Sequence, residues 1–219
     1  MKQKSKIAVI GLGNIGTAVA TNIVKGNRSV IVADKTIEKA NALSQKLGNL
    51  ALPATIDAAI KEADIIVLAV WFDAIKELFN TYATALQGKI IVDPSNPIAA
   101  DENGGFKKII DKDQSAGQIL FTLLPKDAKL AKALGTLGVA SLANAAFQNP
   151  DKAVLFYATD DVSINKEIEE LIADSGFEPV RVGGINQSIR IEVFGDLHEF
   201  GALGKTVRLS ELNQVEEQA

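Results

Sequence analysis

The stretch Lys6-Ile-Ala-Val-Ile-Gly-Leu-Gly-Asn-Ile-Gly16 decides the fold of this chain. It begins with an apolar run, as expected for a strand that is buried on both faces. Three glycines with the spacing GxGxxG follow, and a run with helical periodicity then extends to about Lys25. A strand, a glycine turn and a helix in this order predict the phosphate-binding turn of a Rossmann-type βαβ unit.

Each glycine of this turn has a different role in holding a dinucleotide. Gly11 permits the tight turn out of the strand, Gly13 lets the backbone approach the pyrophosphate, and Gly16 lets the helix pack closely on the sheet. The helix N-terminus offers unpaired N–H groups and a partial positive charge to the phosphates. The predicted cofactor-binding residues of the turn are Gly11, Leu12, Gly13, Asn14, Ile15 and Gly16.

An acidic residue after the second predicted strand completes the pattern. Asp34 stands 18 positions after Gly16 and can accept hydrogen bonds from the adenosine ribose hydroxyls. A carboxylate there repels a 2′-phosphate, so it favours NAD slightly over NADP. Lys35 follows directly and could pair with that phosphate if Asp34 turned away, so NADP stays open. The alternative is a glycine-rich turn in an unrelated α/β protein, with Asp34 only capping the next helix.

Predicted strands and helices alternate along the rest of the chain, which indicates a mostly parallel sheet covered on both faces. The predicted fold class is therefore α/β, a Rossmann-type doubly wound sheet with a small helical C-terminal segment. We expect an NAD(P)-binding domain over residues 1–183 and a C-terminal segment over 184–219 that closes the second-substrate pocket. The stretch 98–106 is expected to be a loop, and residues 186–200 are expected to form a helix.

Two clusters follow predicted strands, at the edge where such folds bind ligands. Val70 and Trp71 could line the nicotinamide half of the cofactor, or they could simply plug the core near the surface. The loop Asp93-Pro-Ser-Asn-Pro97 offers the hydroxyl of Ser95 and the amide of Asn96 to the nicotinamide carboxamide, or it is an ordinary turn.

Composition excludes several kinds of site. The chain of 219 residues has no cysteine and one histidine, which excludes disulfides, thiol catalysis, Cys-ligated metals and multi-histidine metal sites. A net charge of −4 and an aromatic content of 5% argue against a nucleic-acid partner. No apolar stretch approaches the roughly 20 residues of a membrane span, so we expect a cytoplasmic protein without a membrane partner.

The chain resembles the family of NADPH-dependent coenzyme F420 reductases (NADP oxidoreductase, coenzyme F420-dependent), in its bacterial dinucleotide-binding branch. The resemblance covers nearly the whole length. Its two more specific segments are VLFYATDD at 154–161 and VGGINQSIRIEVFGDLHEFGALGK at 182–205. The other segments are IAVIGLGNIG at 7–16, DPSNP at 93–97 and GTLGVASLANA at 135–145.

This resemblance implies an NAD(P)-dependent oxidoreductase that moves a hydride between the nicotinamide and a planar acceptor, such as a flavin or a deazaflavin. Such a transfer needs two rings held face to face and no acid–base residue, so no catalytic side chain is assigned. The resemblance implies that Thr136 lies near the nicotinamide. It further implies that Asn186, Ser188 and Arg190, together with Trp71, surround the second ring.

The sequence departs from the family at two places. The family often carries Ser-Arg where this chain has Asp34-Lys35, which weakens an assignment to NADP. It also often carries His or Asn where this chain has Gly135, which weakens the assumption that the acceptor is a deazaflavin. Two further activities stay open, a non-catalytic NAD(H)-binding redox sensor and a small carbonyl or imine reductase. A homodimer is expected as the commonest oligomer.

Three charged or titratable residues near the C-terminus are ambiguous. His198 could donate a proton, but its neighbours Asp196 and Glu199 favour a solvated or capping role. Arg190 and Glu192 could bind an anionic substrate, although surface ion pairs are favoured for both.

Overall fold

The computed structural model describes residues 4–102 and 104–212, which form a large sheet covered by helices and one small hairpin. In chain order the strands are β1 (Ile7–Ile10), β2 (Val30–Ala33), β3 (Ala51–Ala54), β4 (Ile65–Leu68), β5 (Ile90–Asp93), β6 (Ile98–Ala100), β7 (Phe106–Lys108), β8 (Lys129–Lys132), β9 (Val154–Ala158) and β10 (Glu178–Gly183). The helices are α1 (Asn14–Lys25), α2 (Ile37–Leu47), α3 (Ile56–Glu62), α4 (Phe72–Thr81), α5 (Ala116–Thr122), α6 (Val139–Asn144), α7 (Asn165–Asp174) and α8 (Ser188–Ile191). Short 3₁₀ turns lie at Val162–Ile164, Ile185–Gln187 and Leu209–Glu211.

The strand order of the large sheet is β10-β9-β8-β5-β4-β1-β2-β3. All neighbours are parallel except β8 and β9, which pair antiparallel through Lys132 and Ala158. The order β3-β2-β1-β4-β5-β8 is that of the dinucleotide-binding α/β fold. It reverses direction between β1 and β4, so a crevice opens beyond the carboxyl ends of these two strands. The predicted fold class is confirmed.

The core consists of two layers that share the sheet. Helices α1, α2, α6 and α7 cover one face, and helices α3, α4 and α5 cover the other. The central strands β1 and β4 are buried along their whole length because both of their faces are covered. Thr55 caps the N-terminus of α3, since its Oγ1 accepts from the backbone N–H of Ala58 at 3.3 Å.

The last part of the chain packs on the edge of the large sheet. Alternate residues of β9 face in opposite directions, and Val154, Phe156 and Ala158 form a third cluster with Ile191 and Leu197. The C-terminal segment therefore covers one face of β9. A division of the chain at residue 183 remains a prediction. Within the described residues, no helix has both the length and the apolar character needed to cross a bilayer.

Two local predictions are wrong. The stretch 98–106, expected to be a loop, contributes to a two-stranded antiparallel hairpin of β6 and β7. The helix expected over 186–200 ends at Ile191, and the chain then continues mainly in turns. Glu192 adopts an extended backbone and Phe194 has a φ of +74°. The physical reason lies in tertiary contacts, because leaving the helix allows the Glu192 carboxylate to reach α5.

Candidate functional site

The glycine turn after β1 has the geometry that its three glycines predict. Gly11 has a φ of +92°, and its N–H donates to the Ala33 carbonyl oxygen at 2.9 Å. A Cβ at Gly11 would lie 2.5 Å from the Ala69 oxygen, and a Cβ at Gly16 would overlap the Gly11 oxygen. Around Gly13, by contrast, no heavy atom of the described chain lies within 4 Å of an added Cβ. The turn is therefore packed tightly on the protein side and open on the side where a pyrophosphate would approach.

The N-terminus of α1 points its amides into this opening. Its cap residue is Gly13, and in the described part of the chain no side chain caps the helix. The first turn, Asn14-Ile15-Gly16, carries no acidic residue, so nothing in it opposes a bound anion. Asn14 is exposed, whereas Ile15 packs against the core. Asn14 and the backbone amides are thus accessible to a ligand.

Asp34 lies against the glycine turn. Its Oδ2 accepts from the Leu12 N–H at 2.8 Å, and its Oδ1 accepts from the Thr36 N–H at 3.4 Å. Lys39 Nζ is 3.6 Å from Oδ1, and the Asp34 side chain is only 12% exposed. The Leu12 amide is therefore not free for a phosphate. The carboxylate faces the turn and does not turn away, while Lys35 is exposed.

A cleft of about 380 Å³ lies beside the turn, between α1 and α6. Asn22 Nδ2 donates to the Leu142 oxygen at 2.8 Å and holds the two helices together. The cleft is lined by Leu12, Gly13, Asn14, Thr17, Ala18, Thr21, Asn22, Lys25, Val139 and Ala143. The glycine turn is thus one end of an open groove and not an isolated turn.

Val70 and Trp71 follow β4 at the same edge. Val70 is half-buried, and its Cγ1 lies 2.5 Å from the position of a Cβ on Gly11. Trp71 is 69% exposed and precedes α4 as its N-cap residue. A tryptophan exposed to this extent does not plug the core, so that alternative is wrong for Trp71. Its contact with a cofactor or substrate remains a prediction.

The loop after β5 is fixed from both sides. Asn96 Nδ2 donates to the Gly135 oxygen at 3.2 Å, and Asn96 Oδ1 accepts from the Val193 N–H at 2.7 Å. The amide therefore joins three segments and keeps only part of its hydrogen-bonding capacity for a nicotinamide. Ser95 is buried, and its Oγ has no hydrogen-bond partner among the described residues.

The loop after β8 lies against the loop after β5. A Cβ at Gly135 would overlap the Pro94 oxygen, so this position cannot hold the His or Asn that the family often carries. Thr136 is 2% exposed, and its Oγ1 also lacks a partner in the described part of the chain. Buried hydroxyls without partners are rare and call for a ligand or a water. Ser95 and Thr136 offer two such hydroxyls at the carboxyl ends of adjacent strands.

Below these loops lies a group of buried charges that the sequence analysis missed. Lys132 Nζ is 2.7 Å from Asp93 Oδ2 and 3.6 Å from Glu192 Oε1, and it also donates to the Ser95 oxygen. Asp93 is fully buried, and Lys132 and Glu192 are each 2% exposed. Burial raises the pKa of Glu192, although Lys132 and two backbone N–H groups oppose this. The available signal was a lysine among the apolar residues Leu130, Ala131, Ala133 and Leu134, because a charge buried in a strand requires a partner.

Glu192 is not on the surface, so the surface ion pair expected for it is wrong. Its Oε2 accepts from the Ala116 N–H at 2.9 Å, and its Oε1 accepts from the Gly117 N–H at 3.0 Å. The carboxylate thus caps the N-terminus of α5. For Arg190 the ion pair is confirmed, because Nη2 and Nε donate to Asp196 Oδ2 at 2.7 and 2.9 Å.

His198 is 1% exposed, so the solvated role expected for it is wrong. Its Nδ1 accepts from the Phe200 N–H at 3.0 Å, and its Nε2 donates to the Gly135 oxygen at 3.1 Å. Burial lowers the pKa of the imidazole below its usual value. His198 therefore holds backbone groups in its neutral form, which is a capping role without solvent.

The structure does not bring Asn186, Ser188 and Arg190 together at the glycine turn. Ser188 is fully buried, and its hydroxyl donates to the Ile185 oxygen at 2.6 Å. Asn186 is exposed beside Gly184, next to Asp160. Because β9 runs antiparallel to β8, Asp160 lies at the opposite edge of the sheet from the glycine turn. The C-terminal residues that reach the glycine-turn edge are Glu192, Val193, His198, Glu199 and Phe200.

The chain is similar to known redox proteins. The F420-dependent NADP reductase of Methanothermobacter marburgensis is 26% identical over 200 residues, which cover 85% of this chain and 88% of that protein. The metalloreductase STEAP3 of Rattus norvegicus is 24% identical over 191 residues, but this chain spans only 36% of its length. Among solved structures, a hypothetical protein of Sinorhizobium meliloti, SMa0349, superposes with a TM-score of 0.80 at 25% identity, covering 93% of this chain and 95% of that one.

The N-terminal part of the chain matches a family model. Residues 6–97 match the model described as NADP oxidoreductase coenzyme F420-dependent, which spans β1 to the loop after β5. This range contains the glycine turn, Asp34, Trp71 and the Ser95 loop, and it supports the binding of a nicotinamide dinucleotide. Over this range, the chain is similar to the coenzyme F420-dependent NADP oxidoreductases.

Proposed function

We propose that the chain is an oxidoreductase that binds a nicotinamide dinucleotide at the carboxyl ends of β1, β4, β5 and β8 and transfers a hydride to a planar acceptor. The observation that carries this proposal is the glycine turn, which is open at Gly13 and closed at Gly11 and Gly16. It lies at the point where the strand order reverses, which is where such sheets bind ligands.

The residues of the chain position the cofactor and do not take part in covalent chemistry. The amides at the start of α1 hold the pyrophosphate, and Asp34 faces the adenosine ribose. The buried, partnerless hydroxyls of Ser95 and Thr136 belong to the two loops against which the nicotinamide carboxamide would lie. When bound, the reduced nicotinamide supplies the hydride at its C4 atom. Lys132 and Asp93 form a fixed, buried ion pair beneath the loop that carries Ser95.

The proposed dinucleotide site is tested by blocking the open side of the glycine turn. Gly13→Trp should abolish NADH binding in calorimetry and NADH oxidation with flavins, because the indole would fill the space above the turn. Gln45→Trp, at an exposed position of α2, is the matched control and should bind as the unmodified chain does. Equal binding by both variants would contradict the proposed site. Tight NADH binding without turnover for any flavin or quinone would instead favour a redox sensor.

For the cofactor, we propose a preference for NAD over NADP. The fixed carboxylate of Asp34, held by the Leu12 amide, would repel a 2′-phosphate. Calorimetry with NAD, NADH, NADP and NADPH tests this directly. Binding of NADPH more than tenfold tighter than NADH would overturn the preference, and Lys35 and Lys39 would then be the residues to examine as phosphate ligands.

A carbonyl or imine reductase is less favoured because neither tyrosine provides a proton donor at this edge. Tyr157 donates its hydroxyl proton to Glu169 Oε1 at 2.7 Å, and burial raises its pKa. Neither Tyr82 nor Tyr157 belongs to a Tyr-x-x-x-Lys pattern. Turnover of cyclic imines with NADH at rates above those with flavins would reverse this order. We further propose a cytoplasmic homodimer, which sedimentation and cell fractionation would test.

A further inference from the structure

Phe200 is an exposed aromatic residue on a firmly held backbone. Its side chain is 60% exposed, and one edge of the ring lies 2.7 Å from the position of a Cβ on Gly138. The ring centroids of Phe200 and His198 are 5.5 Å apart at an angle of 44°. An exposed phenyl ring in such a fixed position offers a flat apolar surface at low cost in conformational entropy.

The two preceding residues fix this ring with respect to the loop after β8. His198 joins the Phe200 N–H to the Gly135 oxygen through its two ring nitrogens. The Glu199 N–H donates to the Thr136 oxygen at 3.2 Å, and Glu199 Oε1 accepts from the Gly138 N–H at 2.5 Å. The tripeptide His198-Glu199-Phe200 is thus hydrogen-bonded to the segment 135–138, which includes Thr136.

The position of Phe200 connects it to the cofactor cleft. Gly138 directly precedes Val139, which is 39% exposed and lines the cleft beside Gly13 and Asn14. Glu199 also caps α6, which forms the wall of that cleft opposite α1. A ring that packs on Phe200 would therefore lie between the cleft and the solvent, beside Gly138 and Val139.

We propose that Phe200 forms one wall of the acceptor subsite, and that His198 and Glu199 are positioning residues for this wall. The inference rests on the proposed function and replaces Asn186, Ser188 and Arg190 as the residues around the second ring. Segment 192–201 contains no lysine or arginine, and Glu199, next to Phe200, accepts from a backbone N–H, so its negative charge disfavours a phosphate near the ring. The acceptor is therefore a planar ring system without a phosphate group, for which riboflavin is the probe.

The reaction with this probe is balanced by a proton from water. Riboflavin takes a hydride at N5 and a proton at N1, and NADH is converted to NAD⁺. No side chain needs to change its covalent state. Because Phe200 contributes only packing against the ring, its loss should weaken acceptor binding and leave dinucleotide binding unchanged.

The test compares Phe200→Ala, Phe200→Tyr and Phe121→Ala, since Phe121 is an exposed phenylalanine on α5. Phe200→Ala should raise the KM for riboflavin roughly threefold to tenfold, which is the range expected for one aromatic pair. Phe200→Tyr should restore the KM, and Phe121→Ala should not change it. The Kd for NADH should stay within about twofold in all three, and riboflavin should react at least as well as FMN.

Several outcomes would overturn this assignment. Equal effects of Phe200→Ala and Phe121→Ala on the riboflavin KM would do so, as would a clear preference for FMN. A shift from dimer to monomer in Phe200→Ala would show that a second copy of the chain covers the ring. If the wild-type chain binds NADH without turnover, riboflavin fluorescence quenching by the NADH complex replaces the KM, and unchanged quenching in Phe200→Ala refutes the subsite. Absence of NADH binding would instead refute the proposed function.

The positioning roles require a separate readout. Glu199→Gln retains an oxygen that can accept from the Gly138 N–H, so it should keep the riboflavin KM within about twofold. Glu199→Ala should raise this KM as Phe200→Ala does, with the Kd for NADH within about twofold of the wild type. A parallel loss of NADH binding and riboflavin reduction in Glu199→Ala would show a general structural role and contradict the assignment.

Discussion

The ammonium group of Lys132 lies between the buried carboxylates of Asp93 and Glu192. The variant Lys132→Met therefore tests how much this buried ion pair contributes to the stability of the protein. The variant keeps the length of the side chain and leaves the fully buried Asp93 without its cation at 2.7 Å. Removing one partner of a buried pair costs about 3–5 kcal/mol, out of a total stability of roughly 5–15 kcal/mol. For a chain of this length, the loss corresponds to a fall in Tm of roughly 6–20 °C.

Urea unfolding followed by far-UV circular dichroism at pH 7 measures this loss. Lys129→Met is the matched control on the same strand, because Lys129 is half-exposed and pairs with Asp161 at 3.1 Å. An exposed pair is worth about 1 kcal/mol or less, so the control should change stability little. The double variant Lys132→Met with Asp93→Asn should recover more than half of the loss, since it removes the carboxylate closest to Lys132, while Glu192 keeps its two backbone N–H donors. If Lys132→Met were no more destabilising than Lys129→Met, the buried-charge argument would be refuted.

Three further outcomes follow from the same contacts. Gly16→Ala should lower Tm and abolish NADH binding, because its Cβ would overlap the Gly11 oxygen. Gly13→Ala should weaken NADH binding without changing Tm, because the space around its Cβ is open. Equal Tm values for the two variants would contradict this geometry. Because burial raises the pKa of Glu192, the free energy of unfolding of the wild type relative to Glu192→Gln should fall as pH rises above about 4.5. The fall should be at most about 1.4 kcal/mol per pH unit. A difference between the two proteins that does not change with pH in urea unfolding would exclude this. Because burial lowers the pKa of His198, the opposite holds there: wild-type stability relative to His198→Gln should fall as pH drops below about 6.5, and a constant difference between pH 5 and 7.5 would disprove it.

The N-terminal half of the fold could be predicted because its signals are local. The helix predicted from about Asn14 to Lys25 has those bounds in the structure, since the glycine turn starts it and Gly26 ends it. The apolar run at 7–10 likewise predicts a strand buried on both faces, and β1 is buried along its whole length. In each case the residues that decide the conformation lie within the element or next to it in the chain.

The end of α8 could not be predicted for the opposite reason. Residues 186–200 show a pattern compatible with a helix, but the chain leaves the helix after Ile191. The gain comes from Glu192, whose carboxylate satisfies two backbone N–H groups of α5 and approaches Lys132. These partners lie far away in the sequence, and local propensity is routinely overridden by such contacts.

The candidate site divides in the same way. The glycines and Asp34 were identified because their spacing encodes a local backbone geometry. The direction of Ser188 into the core, the burial of His198 and the pairing of Lys132 with Asp93 depend on which loops meet at the edge of the sheet. These contacts join residues that are far apart in the chain, so they could not be predicted from the sequence pattern alone.

The C-terminal segment acts on the site by connecting its two sides. Glu192 caps α5, which belongs to the layer on one face of the sheet, and Glu199 caps α6, which belongs to the layer on the other. Between these two caps, Val193 and His198 bind the loops after β5 and β8 through Asn96 and Gly135. The segment therefore crosses the edge at which the dinucleotide is proposed to bind. Each of these hydrogen bonds satisfies a backbone group that would otherwise be buried without a partner. Detaching one end of the segment would therefore leave several backbone groups without partners at once. The segment and the loops after β5 and β8 should therefore order together, which would hold Phe200, the proposed acceptor wall, in place.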